Sequence, residues 1–240
     1  MSTPQAGTAP DASASPALGA RLAEVQAGIA DAVDVAGRNP AEITTIVVTK
    51  FHPASLVREL FELGVRDFGE NRHQDAAPKA EALLDLNPVW HFVGQLQSKK
   101  AKPVLQYAHI IHSVDRLSLV SALAPADARS NPTEVFLQLN LTDDPARGGV
   151  APADLEALAE RVLATDGLRL LGLMAVAPLG GDARAAFSEV RAASDRLQRL
   201  APFATALSMG MSADYREAIL EGATHLRIGS AITGIRPGAG

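Results

Sequence analysis

The chain has 240 residues, 47% of them hydrophobic, which is enough for one large domain with a substantial core. Its formal net charge is −5 and no block is rich in lysine or arginine, so nucleic acid is not predicted as a partner. The lack of cysteine excludes disulfides, thiolate metal sites and thiol catalysis, and no apolar run approaches the roughly 18 residues that a membrane span needs.

The first segment of the chain, residues 1–17, is composed mainly of Ala, Ser, Pro, Gly and Thr. It contains no Lys, no Arg and no hydrophobic block, so it predicts a disordered tail rather than a secretory signal. A cytoplasmic protein is therefore expected. Residues 18–240 are predicted to form a single domain.

Strands and helices alternate along that domain. Strands are predicted at 43–50, 67–70, 90–93, 109–112, 134–140, 168–177, 206–208 and 225–228. Helices are predicted at 18–37, 53–63, 152–163, 181–200 and 212–220, with others ending near Leu86, following the third strand and beginning at Asp115. Eight such units indicate a parallel sheet closed into a (β/α)₈ barrel. The structural alternative is an open doubly wound sheet, which the absence of G-x-G-x-x-G after the first strand disfavours.

Lys50 stands at the end of the first predicted strand, on the same side as Ile46 and Val48. Burial at this position would favour the neutral amine, which is a nucleophile toward carbonyl groups. The alternative is that Lys50 only caps the strand and reaches solvent or pairs with a carboxylate. Arg227 ends the last strand, and the first and last strands are neighbours in a closed barrel. The two cations are therefore expected to face one compartment.

Two strand–Gly–helix turns are typical of phosphate sites. One covers residues 208–214, where Ser212 is predicted as the helix N-cap, and the other covers residues 227–232 with Gly229 and Ser230. Phosphate sites in such barrels lie in the loops after strands seven and eight. Ordinary turns with a capping serine are the alternative interpretation. The two turns together, with Lys50 as a candidate for imine formation, favour a ligand that carries both a phosphate and a carbonyl group.

The remaining polar residues give weaker indications. His91 and His112 could be acid/base groups or metal ligands, but they lie on separate strands, so hydrogen-bonded structural histidines are favoured and no metal site is predicted. The cluster of Lys99, Lys100 and Lys102 is interpreted as a solvated helix face.

Seven segments in chain order resemble a known family. They are 48–50, 68–71, 90–97, 111–116, 172–175, 207–214 and 227–232. The resemblance as a whole extends from about residue 20 to residue 234. Together they resemble the pyridoxal 5'-phosphate (PLP) homeostasis proteins, which bind PLP in an alanine-racemase-like barrel of the PLP fold-type III kind.

The resemblance implies that Lys50 carries PLP as an internal aldimine and that Ser212, Gly229 and Ser230 hold its phosphate. It implies that Arg227 faces the pyridine nitrogen, where an arginine would keep that nitrogen unprotonated and weaken the ring as an electron sink. It further implies cofactor contacts by the remaining matched residues, which are Asn71, Met174, Ser208 and Met209.

The resemblance also implies a function in PLP binding and homeostasis rather than turnover, with no catalytic residue. Racemase relatives carry an extra β domain that supplies a second base, and a chain ending at Gly240 has no room for it, so a monomer is expected. Other B6 vitamers and PLP-dependent apo-enzymes are the expected further partners. The alternatives are an amino-acid racemase of low activity and a class I aldolase that uses a lysine imine without PLP.

Overall fold

A computed structural model describes residues 16–124, 132–142, 144 and 147–234. Within these ranges, eight parallel strands pair in sequence order and close on each other, because β1 pairs with both β2 and β8. The strands are β1 (Thr44–Val48), β2 (Asp67–Glu70), β3 (Val89–Phe92), β4 (Ile110–Val114), β5 (Thr133–Gln138), β6 (Leu168–Met174), β7 (Ala206–Ser208) and β8 (His225–Ile228). The predicted single-domain (β/α)₈ barrel is confirmed.

Helices surround the barrel and connect its strands. They are α1 (Pro16–Val35), α2 (Ala54–Glu62), α3 (His73–Ala82), α4 (Ala101–Val104), α5 (Leu117–Leu123), α6 (Leu155–Leu163), α7 (Ala183–Leu200), α8 (Tyr215–Leu220) and α9 (Ser230–Thr233), with short 3-10 helices at Pro40–Glu42 and Ser98–Lys100. No helix among the described ranges combines the length and apolarity required to cross a membrane.

The first helix begins two residues before its predicted start at Leu18, since α1 includes Pro16. Residues 1–15, most of the segment predicted as a disordered tail, lie outside the described residues.

The end of β1 differs from the prediction. The strand stops at Val48, and Lys50 lies in the following turn with its side chain exposed, so the expected burial of this amine is wrong. The chain leaves the barrel wall here because the Thr49 carbonyl accepts a hydrogen bond from His52 N at 3.1 Å. Phe51 then has φ +69°, a left-handed conformation that a bulky side chain rarely adopts. Such strain is concentrated at functional sites, so this turn is a candidate for one.

Ser212 is not a helix N-cap, contrary to the prediction, because α8 begins only at Tyr215. A tight turn replaces the expected first helical turn, since Met211 N donates to Asp214 Oδ1 at 2.6 Å and Asp214 N donates to Met211 O at 3.2 Å. The Ser212 hydroxyl is left to accept from Ala231 N at 3.3 Å, which joins the loop after β7 to the start of α9.

Alternation along the strands divides the core into two compartments. On β8, Leu226 and Ile228 pack in the apolar layer between barrel and helices. His225 and Arg227 therefore point into the barrel, where Phe136 lies 5.0 Å from the His225 ring. The barrel interior combines apolar side chains with buried polar groups, including His91, His112 and Ser208.

Candidate functional site

The candidate site lies where the strands end, at the mouth of the barrel formed by β1, β2, β7 and β8. The β1–β8 pairing aligns Ile46 with Arg227 and Val47 with Ile228. This register brings the turn that carries Lys50 beside the Gly229 turn, and a Cβ built on Gly229 would lie 3.8 Å from the Val48 carbonyl oxygen. The turns that carry Lys50 and Gly229 are therefore neighbours.

A buried ion pair supports the Lys50 turn from behind. Lys79 Nζ lies 2.6 Å from Glu70 Oε1 and donates to the Thr49 carbonyl at 2.8 Å, while the Thr49 hydroxyl donates to the same Glu70 oxygen at 2.7 Å. Glu70 and Lys79 are buried. Burial raises the pKa of the Glu70 carboxyl, and the Lys79 ammonium opposes that rise. The residue before Lys50 is thus held by both members of the pair.

Lys79 was missed by the sequence analysis, although a signal existed. It shares the buried stripe of α3 with Ala76 and Ala80, at the i, i+3 and i+4 spacing of a core-facing helix surface. A lysine on such a stripe needs a buried partner, because an unpaired charge in the core is costly. Glu70 supplies that partner.

Arg227 is buried in the barrel interior and bonded to two neighbouring elements. Its Nη1 donates to the Ser208 carbonyl at 2.6 Å and to the Ser208 hydroxyl at 2.7 Å, and its Nη2 donates to the Ala175 carbonyl at 2.8 Å. Burial lowers the pKa of Arg227 to about 10, and the charge of Asp214 opposes that fall. The guanidinium remains a cation at neutral pH. Within the described ranges, its Nε–H has no acceptor.

The guanidinium of Arg227 also links the ends of neighbouring strands. β7 has only three residues, and backbone bonds join the residues after it to β8, from Met209 N to the His225 carbonyl at 3.1 Å and from Arg227 N to the Gly210 carbonyl at 3.0 Å. The bonds to Ser208 and to Ala175, which directly follows β6, therefore connect the ends of three strands.

Asn71 follows β2 and carries an orphaned polar atom, since its Oδ1 is buried without a hydrogen-bond partner among the described residues. It lines a cavity of about 220 Å³ together with residues between β3 and α4. Gly94 packs against its backbone, and a Cβ there would lie 2.7 Å from Asn71 Cα. A buried acceptor with no partner fits a position that faces a polar ligand.

The two predicted phosphate turns converge. Ser212 is half-buried and bonds to the start of α9, where Ser230 is exposed and Gly229 precedes the helix. Of the other predicted cofactor contacts, Met174 and Met209 are buried in the packing. Ser208 is also buried, and its hydroxyl lies between Arg227 and His112.

The interior histidines are hydrogen-bonded, as the sequence favoured. His91 Nδ1 lies 2.9 Å from His112 Nε2. In the part of the chain that the structure describes, no group of three or more His, Cys, Asp or Glu side chains is placed to hold a metal ion.

The buried histidines predict that acid destabilises the fold. Burial lowers the pKa of His225 to about 4 and holds the pKa of His112 well below the ordinary value of 6.5. Below about pH 6.5 the unfolded chain binds protons that the folded chain does not, so stability is full above that pH and is lost as pH falls toward the folded pKa. His225 alone accounts for about 3 kcal/mol of this loss.

Urea unfolding at pH 7.5, 6.0 and 5.0 measures the effect. We expect the midpoint to fall with pH, and to fall less steeply in His225→Phe. A midpoint that is constant from pH 7.5 to 5.0 would contradict the assignment.

Comparisons with known proteins place this geometry in a family. A sequence model described as "Alanine racemase, N-terminal domain" matches residues 22–237. The pyridoxal phosphate homeostasis protein of Pseudomonas aeruginosa is 42% identical over 216 residues, covering 90% of this chain and 94% of its own. That of Escherichia coli is 36% identical over 222 residues, covering 90% of this chain and 95% of its own.

Solved structures of other proteins share this barrel fold. PipY of Synechococcus elongatus, determined with PLP bound, is 35% identical with a TM-score of 0.77, covering 90% of this chain and 100% of that chain. Alanine racemase of Corynebacterium glutamicum, at 14% identity, a TM-score of 0.68 and coverage of 93% of this chain and 62% of that chain, shares the barrel fold. The chain therefore belongs to the pyridoxal phosphate homeostasis protein family, whose barrel is that of the alanine racemase N-terminal domain.

Proposed function

We propose that this protein binds PLP at the barrel mouth and takes part in PLP homeostasis, with Lys50 as the residue that bonds the cofactor covalently. The observation that carries the proposal is that the turn with the exposed Lys50 amine lies beside the Gly229 turn, which Ser212 joins, at the end of the strand that carries Arg227. Relatives named PLP homeostasis proteins and a relative solved with PLP bound support it.

The residues present fit the chemical groups of PLP. Ser212, Gly229 and Ser230 would hold the phosphate, where backbone N–H groups and hydroxyls favour an anion. The Nε–H of Arg227, which has no described acceptor, would donate to the pyridine nitrogen. Asn71 would meet the ring's polar edge through its side chain, while Met174, Ser208 and Met209 would support the pocket from behind.

Lys50 would hold PLP covalently. Its amine would condense with the aldehyde carbon of the cofactor, and the aldehyde oxygen would be lost as water. When bound, PLP supplies this electrophilic carbon to amines. Because Lys50 is exposed, a second amine can approach the same carbon from solvent or from another protein.

Two features of the site support a role as a PLP carrier rather than an enzyme. The two tyrosines of the chain lie on outer helical segments: Tyr107 follows α4, and Tyr215 begins α8 with its hydroxyl against Gly28 of α1. Arg227 cannot readily give a proton to the pyridine nitrogen, which limits carbanion chemistry. We propose PLP-dependent apo-enzymes as recipients, other B6 vitamers as weaker ligands and a monomer as the working form.

Reduction with borohydride followed by peptide mapping tests the proposal. Incubation of the purified protein with PLP should give one reduced adduct, on the peptide that contains Lys50. An adduct confined to another lysine would contradict the assignment. Incubation with L-alanine and chiral chromatography tests the carrier role, because sustained formation of D-alanine would show a racemase.

A further inference from the structure

A continuous line of hydrogen bonds crosses the barrel interior from Asp67 to Arg227. Asp67 begins β2, and its Oδ1 lies 3.0 Å from His91 Nε2. His91 Nδ1 then contacts His112 Nε2 at 2.9 Å, and His112 Nδ1 contacts the Ser208 hydroxyl at 2.8 Å. The same hydroxyl accepts from Arg227 Nη1 at 2.7 Å. The line joins β2, β3, β4, β7 and β8.

The chemistry of the two ends favours one direction for the line. A carboxylate only accepts, so Asp67 requires a proton on His91 Nε2. An arrangement with one proton on each imidazole satisfies both ends: His91 Nδ1 accepts from His112 Nε2, and His112 Nδ1 accepts the Ser208 proton. A guanidinium only donates, and this arrangement leaves a lone pair of the Ser208 hydroxyl for Arg227 Nη1.

The surroundings of His112 keep its own imidazole neutral. His91 from β3 faces it, as do His225 and Arg227 from β8, while Phe136 of β5 stacks on its ring at 4.6 Å between centroids. Burial, reinforced by these neighbours, lowers the pKa of His112 well below its ordinary value. His112 is therefore neutral across the neutral range, and in the arrangement described its Nδ1 is the acceptor.

We propose that Asp67, His91 and His112 are positioning residues that act through Ser208 to orient Arg227 toward the cofactor. The inference rests on the proposed binding of PLP at this site. With its proton committed to His112, the Ser208 hydroxyl presents a lone pair to Arg227 Nη1. That bond, with the two carbonyl bonds of the guanidinium, fixes its plane and leaves Nε–H directed at the pyridine nitrogen.

The test compares two histidines whose rings lie in the barrel interior, His112 fully buried and His225 less so. His112→Phe removes the acceptor of the Ser208 proton and keeps a ring of similar size. His225→Phe is the matched control, because His225 bonds to Thr224 Oγ1 and is not part of the line. The PLP dissociation constant should rise about five- to tenfold in His112→Phe, the size expected for weakening a hydrogen bond to a charged group.

A second measurement separates positioning from packing. The pH midpoint of the visible absorbance of the PLP-loaded protein should shift in His112→Phe, in the same direction as in Arg227→Lys, and should stay at the wild-type value in His225→Phe. Equal shifts in both histidine variants, or no shift in either, would overturn the inference. A wild-type protein that binds no PLP would overturn the proposed function and this inference with it.

Ser208 variants and the apo protein provide tests that do not depend on the folding of His112→Phe. Ser208→Ala should reproduce the shifted midpoint and Ser208→Thr should restore it. Nitrogen-15 NMR of the apo protein should find both His91 and His112 neutral with the proton on Nε2. A proton on Nδ1 of His112 would refute the line even where PLP binding is normal.

Discussion

Replacing Lys50 with alanine is expected to abolish the borohydride-reducible adduct and the visible absorbance of the PLP-loaded protein. The covalent bond requires an amine, and the other amine beside this turn, that of Lys79, is buried and paired with Glu70. We expect PLP retained after desalting to fall to about a tenth of the wild-type amount or less, which corresponds to at least about 1.4 kcal/mol.

Lys102→Ala is the matched control for that experiment, since Lys102 is an exposed lysine on α4 outside the site. It should bind PLP as the wild type does. Thermal unfolding of both apo variants should match the wild type, because Lys50 makes no described buried contact. A Lys50→Ala protein that still yields a reduced lysine adduct would disprove the role of this residue.

Removing one member of the buried Glu70–Lys79 pair should have the largest effect on stability. Lys79→Ala leaves the Glu70 carboxylate in the core without its cation and removes the donor to the Thr49 carbonyl. We expect a loss of about 3–5 kcal/mol in the free energy of unfolding, measured by urea denaturation. Weaker PLP binding should accompany it, because the turn that carries Lys50 loses its support.

The double variant Glu70→Gln with Lys79→Met distinguishes an unpaired charge from lost packing. Replacing both charges with groups of similar volume should recover most of the lost stability, since the cost lies in the uncompensated carboxylate. A double variant as unstable as Lys79→Ala would show that packing, rather than charge, explains the loss.

The alternation of strands and helices was sufficient to predict the barrel, and barrel closure was sufficient to predict that the turns after β1 and β8 are neighbours. The exposure of Lys50 could not be predicted in the same way. A β-branched run continues in sequence to Thr49, but the hydroxyl of Thr49 bonds to Glu70 and its carbonyl closes a turn, and both partners are tertiary or local features that periodicity does not report.

The supporting residues were harder to predict because their contacts are distant in sequence. Lys79 and Thr49 are 30 residues apart, and His112 and Ser208 are 96 residues apart. Taken alone, Lys79 is compatible with a solvated helix face and His112 with an isolated structural histidine. The packing of α3 against the end of β1 and the closure of the barrel around its interior bring them together, and the sequence pattern reports neither contact.

The bonds from Arg227 to Ser208 and Ala175 have a practical consequence for mutagenesis. They reinforce the part of the barrel wall where β6, β7 and β8 end. Library screens that score cofactor capture alone would therefore confuse a misfolded barrel with an impaired pocket at this position. Transplanting the pocket into an unrelated barrel would likewise require both carbonyl acceptors to be transferred with the guanidinium.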